Sequence, residues 1–354
     1  MEGKHSAAPA GSSGRGRKMP VWMLIVSDIL LAGFILCIFS CFHHVIPRMK
    51  AGSQEAPKPV TVISTPAPTQ TPEPTQEEEP DNRTEWQKRF EEHFTEELVV
   101  TENSYSSPNV SITVTTHSIP FRNDVLTYYV ADIYIARIEN FQTYLATGEF
   151  KYYACETPVD IDRNAGAILA INGDYCNNQY TGLLVRNGEL FMSEQTTSDI
   201  CVLYKDGSME TYGPNEYLVE DILAREPWQV WKFGPKLLDS NGQPCTDFNT
   251  GEAIKWDNPR SALGYYEPGH YCFVVADGRQ PGYSRGIEID AFAQLFADLG
   301  CVRAYNMDGG ASATMTYNDA VYNKPCSGGR DLGDILFIRE LEDALAGESG
   351  VAEP

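Results

Sequence analysis

Four short polar breaks carry most of the residues able to do chemistry. "AILAINGDYC" passes from an apolar run, Ile168 to Ile171, into Asn172, Gly173 and Asp174, and "WDNPRSALGYY" sets Arg260 before another such run. "YCFVVADGR" ends a run with Asp277, Gly278 and Arg279, and "VRAYNMDGGASAT" ends one with Asn306 and Asp308, followed by Gly309, Gly310 and Ser312. Asn-Gly, Asp-Gly and Asn-Pro are turn formers, so any one break alone reads as a turn as readily as a site. Four of them together imply one cleft along the edge of a sheet. A carboxylate there can stabilise developing positive charge, attack it or activate water, and guanidinium groups match phosphate oxygens in pairs. Glycines let backbone N–H groups come close to a ligand. Arg330 in "SGGRDLGD" offers a third cation beside Arg260 and Arg279.

The elements that must hold these residues are mostly strands. "VSITVTT" alternates as a half-buried strand does, and "VLTYYVADIYIARI" is rich in aromatic and β-branched residues. Asn187-Gly188 and Asp206-Gly207 mark two hairpins with type I′ turns. Helices are fewer: "NEYLVEDILA" is short, while "IDAFAQLFADLG" has Ala291, Leu295 and Leu299 four apart and Gly300 as a stop. "EWQKRFEEHFTEELVV" puts Trp86, Phe90, Phe94 and Leu98 on one stripe, predicting an amphipathic helix and lead-in over 84–103. The expectation is an α+β domain of mixed β-sheets with packed helices over 104–341, a single catalytic domain, followed by an acidic tail at 342–354.

Ahead of it the chain changes character. After a polar tail at 1–20, the run Val21 to Ile46 is long enough to cross a bilayer, although it holds Asp28. It exceeds the ~7–15 apolar residues of a cleaved signal, so a signal anchor is expected. Lys4, Arg15, Arg17 and Lys18 favour a cytoplasmic N-terminus. Residues 47–83 are rich in Pro, Thr and Glu and cannot bury a core, so they predict a disordered linker, at ~3.1 Å per residue reaching up to roughly 100 Å. The expected localisation is single-pass in the cell membrane with the catalytic domain extracellular. A formal net charge of −22, without a basic stripe, argues against nucleic acid as a partner.

Seven of the nine cysteines follow the anchor, with no C-x-x-C pair. Cys272 and Cys301 sit in apolar runs as buried thiols would. The six histidines form no H-E-x-x-H, and neither G-x-S-x-G nor a P-loop occurs. No metal or cofactor is expected, with Ca²⁺ on clustered Asp and Asn the open alternative. Trp228, Trp231 and Trp256 offer flat faces to a ligand, with core packing at least as good a reading.

Taken in order, "AINGDYC", "PRSALG", "VVADGR", "SRGIEIDAFAQLFADLG" and "YNMDGGASATM" resemble the phosphodiester glycosidase family over roughly 104–340. Asp174, Tyr175 and Cys176 stand where many members have aromatic residues, Met307 replaces a usual Leu and Ala311 a usual third Gly; Asp174 and Tyr175 resemble a bacterial exopolysaccharide-type member. The resemblance implies hydrolysis between a sugar's anomeric carbon and a phosphodiester. On that basis Asp308 is the key carboxylate and Asp174 the second, with Asp277 the alternative. Asn172, Gly173, Arg260, Asp277, Gly278, Arg279, Asn306, Gly309, Gly310, Ser312 and Arg330 are the substrate-binding candidates. The partner would be a glycan carrying a sugar-phosphate diester. The rivals are a non-catalytic glycan-binding envelope module and a structural envelope protein.

Overall fold

The structure is a computed structural model that describes residues 81–341. The expected anchor at 21–46, nearly all of the linker and the acidic tail lie outside the described residues. Among the described residues no helix is long and apolar enough to cross a membrane.

In chain order the elements begin with α1 (Glu85–Arg89), β1 (Val99–Val100), β2 (Ser104–Ser106), β3 (Val110–Phe121), β4 (Asp124–Ile135), β5 (Phe141–Leu145), α2 (Pro158–Ala165) and β6 (Leu169–Asn172). Then come β7 (Leu183–Arg186), β8 (Glu189–Ser193), β9 (Ile200–Tyr204), β10 (Met209–Tyr212), α3 (Val219–Ala224), β11 (Pro227–Trp231) and α4 (Glu252–Lys255). The last are β12 (Arg260–Glu267), β13 (His270–Ala276), α5 (Ile289–Asp298), β14 (Arg303–Asn306), β15 (Met315–Tyr317), β16 (Ala320–Val321) and β17 (Asp334–Ile338).

Three sheets result, ordered β1-β2-β3-β4-β13-β12-β14, β10-β9-β11-β7-β8 and β16-β15-β6-β17-β5. The sheets dominate and the helices are short, so the domain is sheet-rich rather than layered with packed helices. Every pairing of these strands is antiparallel. The alternating run around Ile112 and the aromatic run after it form one hairpin, in register from Val110 and Ile135 to Phe121 and Asp124. Asn187 and Gly188 join β7 to β8 with φ of 51° and 79°, as a type I′ turn requires. The second expected hairpin, β9–β10, also forms, but there Gly207 takes the positive φ and Asp206 does not.

One apolar core draws on all three sheets, with Ile112 and Phe273 from the first, Leu203 and Trp231 from the second and Ile171 and Leu336 from the third. The other face of the seven-stranded sheet is covered by α5, through Phe292, Ala293 and Phe296. The deepest face of α5 is therefore Ile289, Phe292, Ala293 and Phe296, with Ala291, Leu295 and Leu299 flanking it. Cys272 and Cys301 are buried thiols with sulfurs 3.6 Å apart.

The stripe predicted through Leu98 holds for its first two members. Thr84 and Gln87 form a capping box that starts α1, and Trp86 and Phe90 lie against Gly269, where a Cβ would meet the Trp86 ring at 2.9 Å. Once those rings are seated the helix stops, Thr95 N–H bonds the Ser107 carbonyl at 3.2 Å, and Leu98 is left exposed.

Candidate active site

β12 lies between β13 and β14 and is antiparallel to both, with Arg260 opposite Ala276 and Ala262 opposite Asn306. The start of β12 therefore shares one sheet edge with the ends of β13 and β14. The end of β6 joins them from another sheet, because Asp308 N–H donates to the Gly173 carbonyl at 3.2 Å. The four polar breaks thus meet. A cleft of about 430 Å³ opens there, lined among others by Phe233, Asn258, Arg279, Asn306, Asp308, Gly309, Gly310 and Arg330.

Asp308 is held from three sides. Gly309 N–H donates to its Oδ1 at 2.9 Å, Ser312 Oγ donates to its Oδ2 at 2.7 Å, and Arg330 Nη2 donates to Oδ2 at 2.5 Å. Ser312 is buried and Arg330 is half-exposed, so one support is fixed by packing while the other stands at the rim. Arg279 approaches from another loop, with φ of 57° and its Nη2 donating to Asn258 Oδ1 at 2.7 Å. Two cations and one carboxylate face the same space.

The glycines have steric roles. A Cβ on Gly309 would sit 2.7 Å from the Pro259 carbonyl oxygen, and one on Gly278 would sit 2.7 Å from the Pro259 nitrogen. The Asn258–Pro259 segment is gripped between bare backbones. Gly310, at φ 65°, lies under the Arg279 guanidinium, and a Cβ there would meet Nη1 at 3.1 Å. Gly173 is forced in the same way, since its Cβ would fall 2.0 Å from the Asp334 carboxylate.

Several expected ligands turn out to be scaffold. Asn172 donates to the Asp308 carbonyl at 2.7 Å and accepts from Ser261 Oγ at 2.6 Å and Thr314 N–H at 3.2 Å, so its amide is committed to protein. Arg260 is buried, with Nε on the Ile287 carbonyl at 2.7 Å and Nη2 on those of Ile254 and Trp256; burial pulls it down to about 10. It shapes the wall instead of offering its whole fork to phosphate. Asp277 is neither a lining residue nor a partner of Arg279. It accepts from Tyr283 at 2.8 Å, Asn323 at 2.7 Å and Lys324 N–H at 3.0 Å, and burial raises it above the usual carboxylate range. Asn306 gives its Nδ2 to the Gly234 carbonyl at 2.9 Å, while its buried Oδ1 has no partner among the described residues.

Asp174, expected as the second carboxylate, is fully buried behind the cleft. Its Oδ1 accepts from Arg186 at 2.6 Å and its Oδ2 from Lys232 N–H at 2.9 Å. Asp334 completes the cluster, 3.5 Å from Arg186 and accepting from Tyr175 N–H at 3.0 Å. Burial pushes Asp334 up to about 8, the Asp174 carboxylate adds to this, and Arg186 opposes it. Asp174, Cys176 and Asp334 could in principle share a metal ion. The Arg186 guanidinium already supplies the positive charge such a trio would take from an ion.

Sequence reasoning missed Phe233, the half-buried ring on the cleft wall, while Trp231 is core and Trp228 donates to the Phe141 carbonyl at 2.6 Å. It also missed Asp331, which lines a narrow crevice of about 10 Å³ beside Asp308 and Arg330. Asp331 follows Arg330 directly, the one signal that could have marked it.

The family model for phosphodiester glycosidases matches residues 165–339. The SPbeta prophage-derived uncharacterized protein YomE of Bacillus subtilis (strain 168) is 26% identical over 195 residues, covering 53% of this chain and 30% of its own length. The fold is similar to the zebrafish N-acetylglucosamine-1-phosphodiester alpha-N-acetylglucosaminidase catalytic domain, auto-inhibited by pro-peptide, at a TM-score of 0.56 and 19% identity over 69% of this chain and 88% of that one.

Proposed function

Residues 165–339 belong to the phosphodiester glycosidase family, and from that premise we propose that this chain hydrolyses the anomeric C1–O bond of a sugar-1-phosphodiester in a cell-surface or matrix glycan. The observation that supports it best is Asp308 in a cleft with Arg279 and Arg330. A glycosidase expelling an alkoxide needs a strong general acid opposite its carboxylate. A phosphate monoester, with a second pKa of ~6, leaves with little such help.

In this reading Arg330 and Arg279 hold the phosphate oxygens, and binding draws Arg330 from Asp308 towards the phosphate. Asp308, still steadied by Ser312 and Gly309 N–H, then faces C1 as positive charge develops there. Water's oxygen bonds to C1 as the C1–O bond breaks with its electron pair going to the phosphate oxygen, the proton lost by water passes to the phosphate or to solvent, and the products are free sugar and a phosphomonoester. Phe233 supplies an apolar face for the sugar ring. The N-terminal reading adds a single-pass anchor and an extracellular location. No step in this reading involves a metal or cofactor.

The test is hydrolysis of a panel of sugar-1-phosphodiesters, including one of N-acetylglucosamine, by wild type and Asp308→Asn, with cooperative unfolding checked for both. Turnover lost in a folded variant supports the reaction and the role of Asp308. Absence of turnover, with glycan binding unchanged by the substitution, favours a glycan-binding envelope module.

A further inference from the structure

Beside the cleft stands a strip of tyrosines that the proposed reaction does not use. Tyr152, Tyr153 and Tyr180 are 40%, 53% and 57% exposed. The Tyr152 and Tyr180 rings stack at 4.7 Å between centroids, and Tyr153 meets Tyr180 edge-on at 6.4 Å. The strip reaches the cleft through Tyr175, whose ring lies 5.1 Å from the Arg330 guanidinium carbon and which lines the crevice beside Asp308.

Its geometry is fixed by backbone. Tyr153 N–H donates to the Asn177 carbonyl at 3.1 Å, tying the two tyrosine loops together, and Asn178 N–H donates to that of Tyr175 at 3.1 Å within the second. Tyr153 and Tyr175 hold φ of 62° and 58°, a left-handed conformation that bulky side chains adopt only where the surroundings impose it. Four rings are thus presented to solvent or to the rim, beginning at the arginine assigned to phosphate.

We propose that this strip binds the continuation of a glycan chain whose scissile sugar-phosphate lies in the cleft, so that the substrate is a polymer of sugar phosphates and not a small diester. Such a chain alternates apolar pyranose faces with anionic groups. Exposed aromatic faces suit the first, and Arg330 takes an anion between them. Continuity with the cleft favours this occupant over a second copy of the chain. The inference rests on the reading of the cleft as a sugar-1-phosphodiester hydrolase.

The experiment gives the full-length protein N-acetylglucosamine-1-phosphate oligomers of two to six repeats and measures kcat/KM against length. Wild type is expected to gain about ten-fold from shortest to longest, and Tyr180→Ala to lose about five-fold of that gain through KM, with Tyr180→Phe retaining it. Tyr152→Ala should behave like Tyr180→Ala. No gain with length in wild type, or an equal gain in both alanine variants, overturns the proposal. If no oligomer is hydrolysed, calorimetry with the six-repeat chain separates the two readings. Binding weakened by Tyr180→Ala keeps the strip while the hydrolase reading fails, and no binding overturns both. A wild-type dimer that Tyr180→Ala dissociates, seen by sedimentation, would make the strip a contact between copies and overturn it too.

Discussion

Arg330 donates to the Asp308 carboxylate at 2.5 Å across 22 residues of chain, and both residues line the cleft and the crevice beside it. An anion arriving at Arg330 therefore competes with the carboxylate for one guanidinium. Arg330→Ala should lower kcat/KM about ten- to hundred-fold, the range for a lost hydrogen bond to a charged group, with little change in unfolding because the Arg330 side chain is half-exposed. Arg330→Lys should recover only part, since an ammonium cannot pair bidentately. Steady-state kinetics on a sugar-1-phosphodiester decides it: undiminished activity in Arg330→Ala would take this residue away from the phosphate.

Ser312 holds the same carboxylate oxygen from below, at 2.7 Å, and is buried. Ser312→Ala should leave KM near wild type and reduce kcat about ten-fold, with roughly 1 kcal/mol of stability lost. Separate determination of kcat and KM tests this. A rise in KM matching the fall in kcat/KM would show that Ser312 serves binding instead.

Arg186 is 2% exposed in its side chain and pairs with buried Asp174 at 2.6 Å, with Asp334 3.5 Å away. Arg186→Met should destabilise the domain by about 3–5 kcal/mol, because it leaves buried acids without a partner. Denaturant unfolding measures the loss. A change below about 1 kcal/mol would mean that water replaces the guanidinium.

Asp334 gives the domain a pH dependence of definite sign. Its carboxyl is raised to about 8 in the folded state, above the ~3.9 of an unfolded aspartate, so folding takes up a proton. This contribution is fully present below about pH 4 and is lost as pH rises towards 8. Asp162, raised to about 6 by burial, adds a smaller effect of the same sign. Wild type should therefore lose unfolding free energy from pH 5 to 8 more steeply than Asp334→Asn, whose amide cannot titrate. Parallel profiles for the two proteins would exclude the proton.

The sequence was most legible where register alone assembles a site. Antiparallel pairing of β12 with β13 and β14 gathers their polar ends at one edge, so the strand-end clustering of Arg260, Asp277 and Asp308 carried over into space. It was least legible in the direction of each side chain. Asp174 and Asp308 both stand two residues past a strand, yet one turns into the layer behind and pairs with Arg186 while the other faces the cleft. Residue type could not separate them, because the decisive partner, Arg186, ends a strand of another sheet. Phe233 and the tyrosine strip were missed for a related reason: they belong to loops whose apolar residues look like core in one dimension.

Asn172 links β6 of one sheet to Ser261 in β12 of another and to the backbone of Asp308 through a single amide. Two sheets are thereby riveted at the point where the chemistry would occur. The geometry of the proposed site then becomes a gauge of how the sheets seat against each other, and a slip at that seam would disturb it before either sheet had begun to melt.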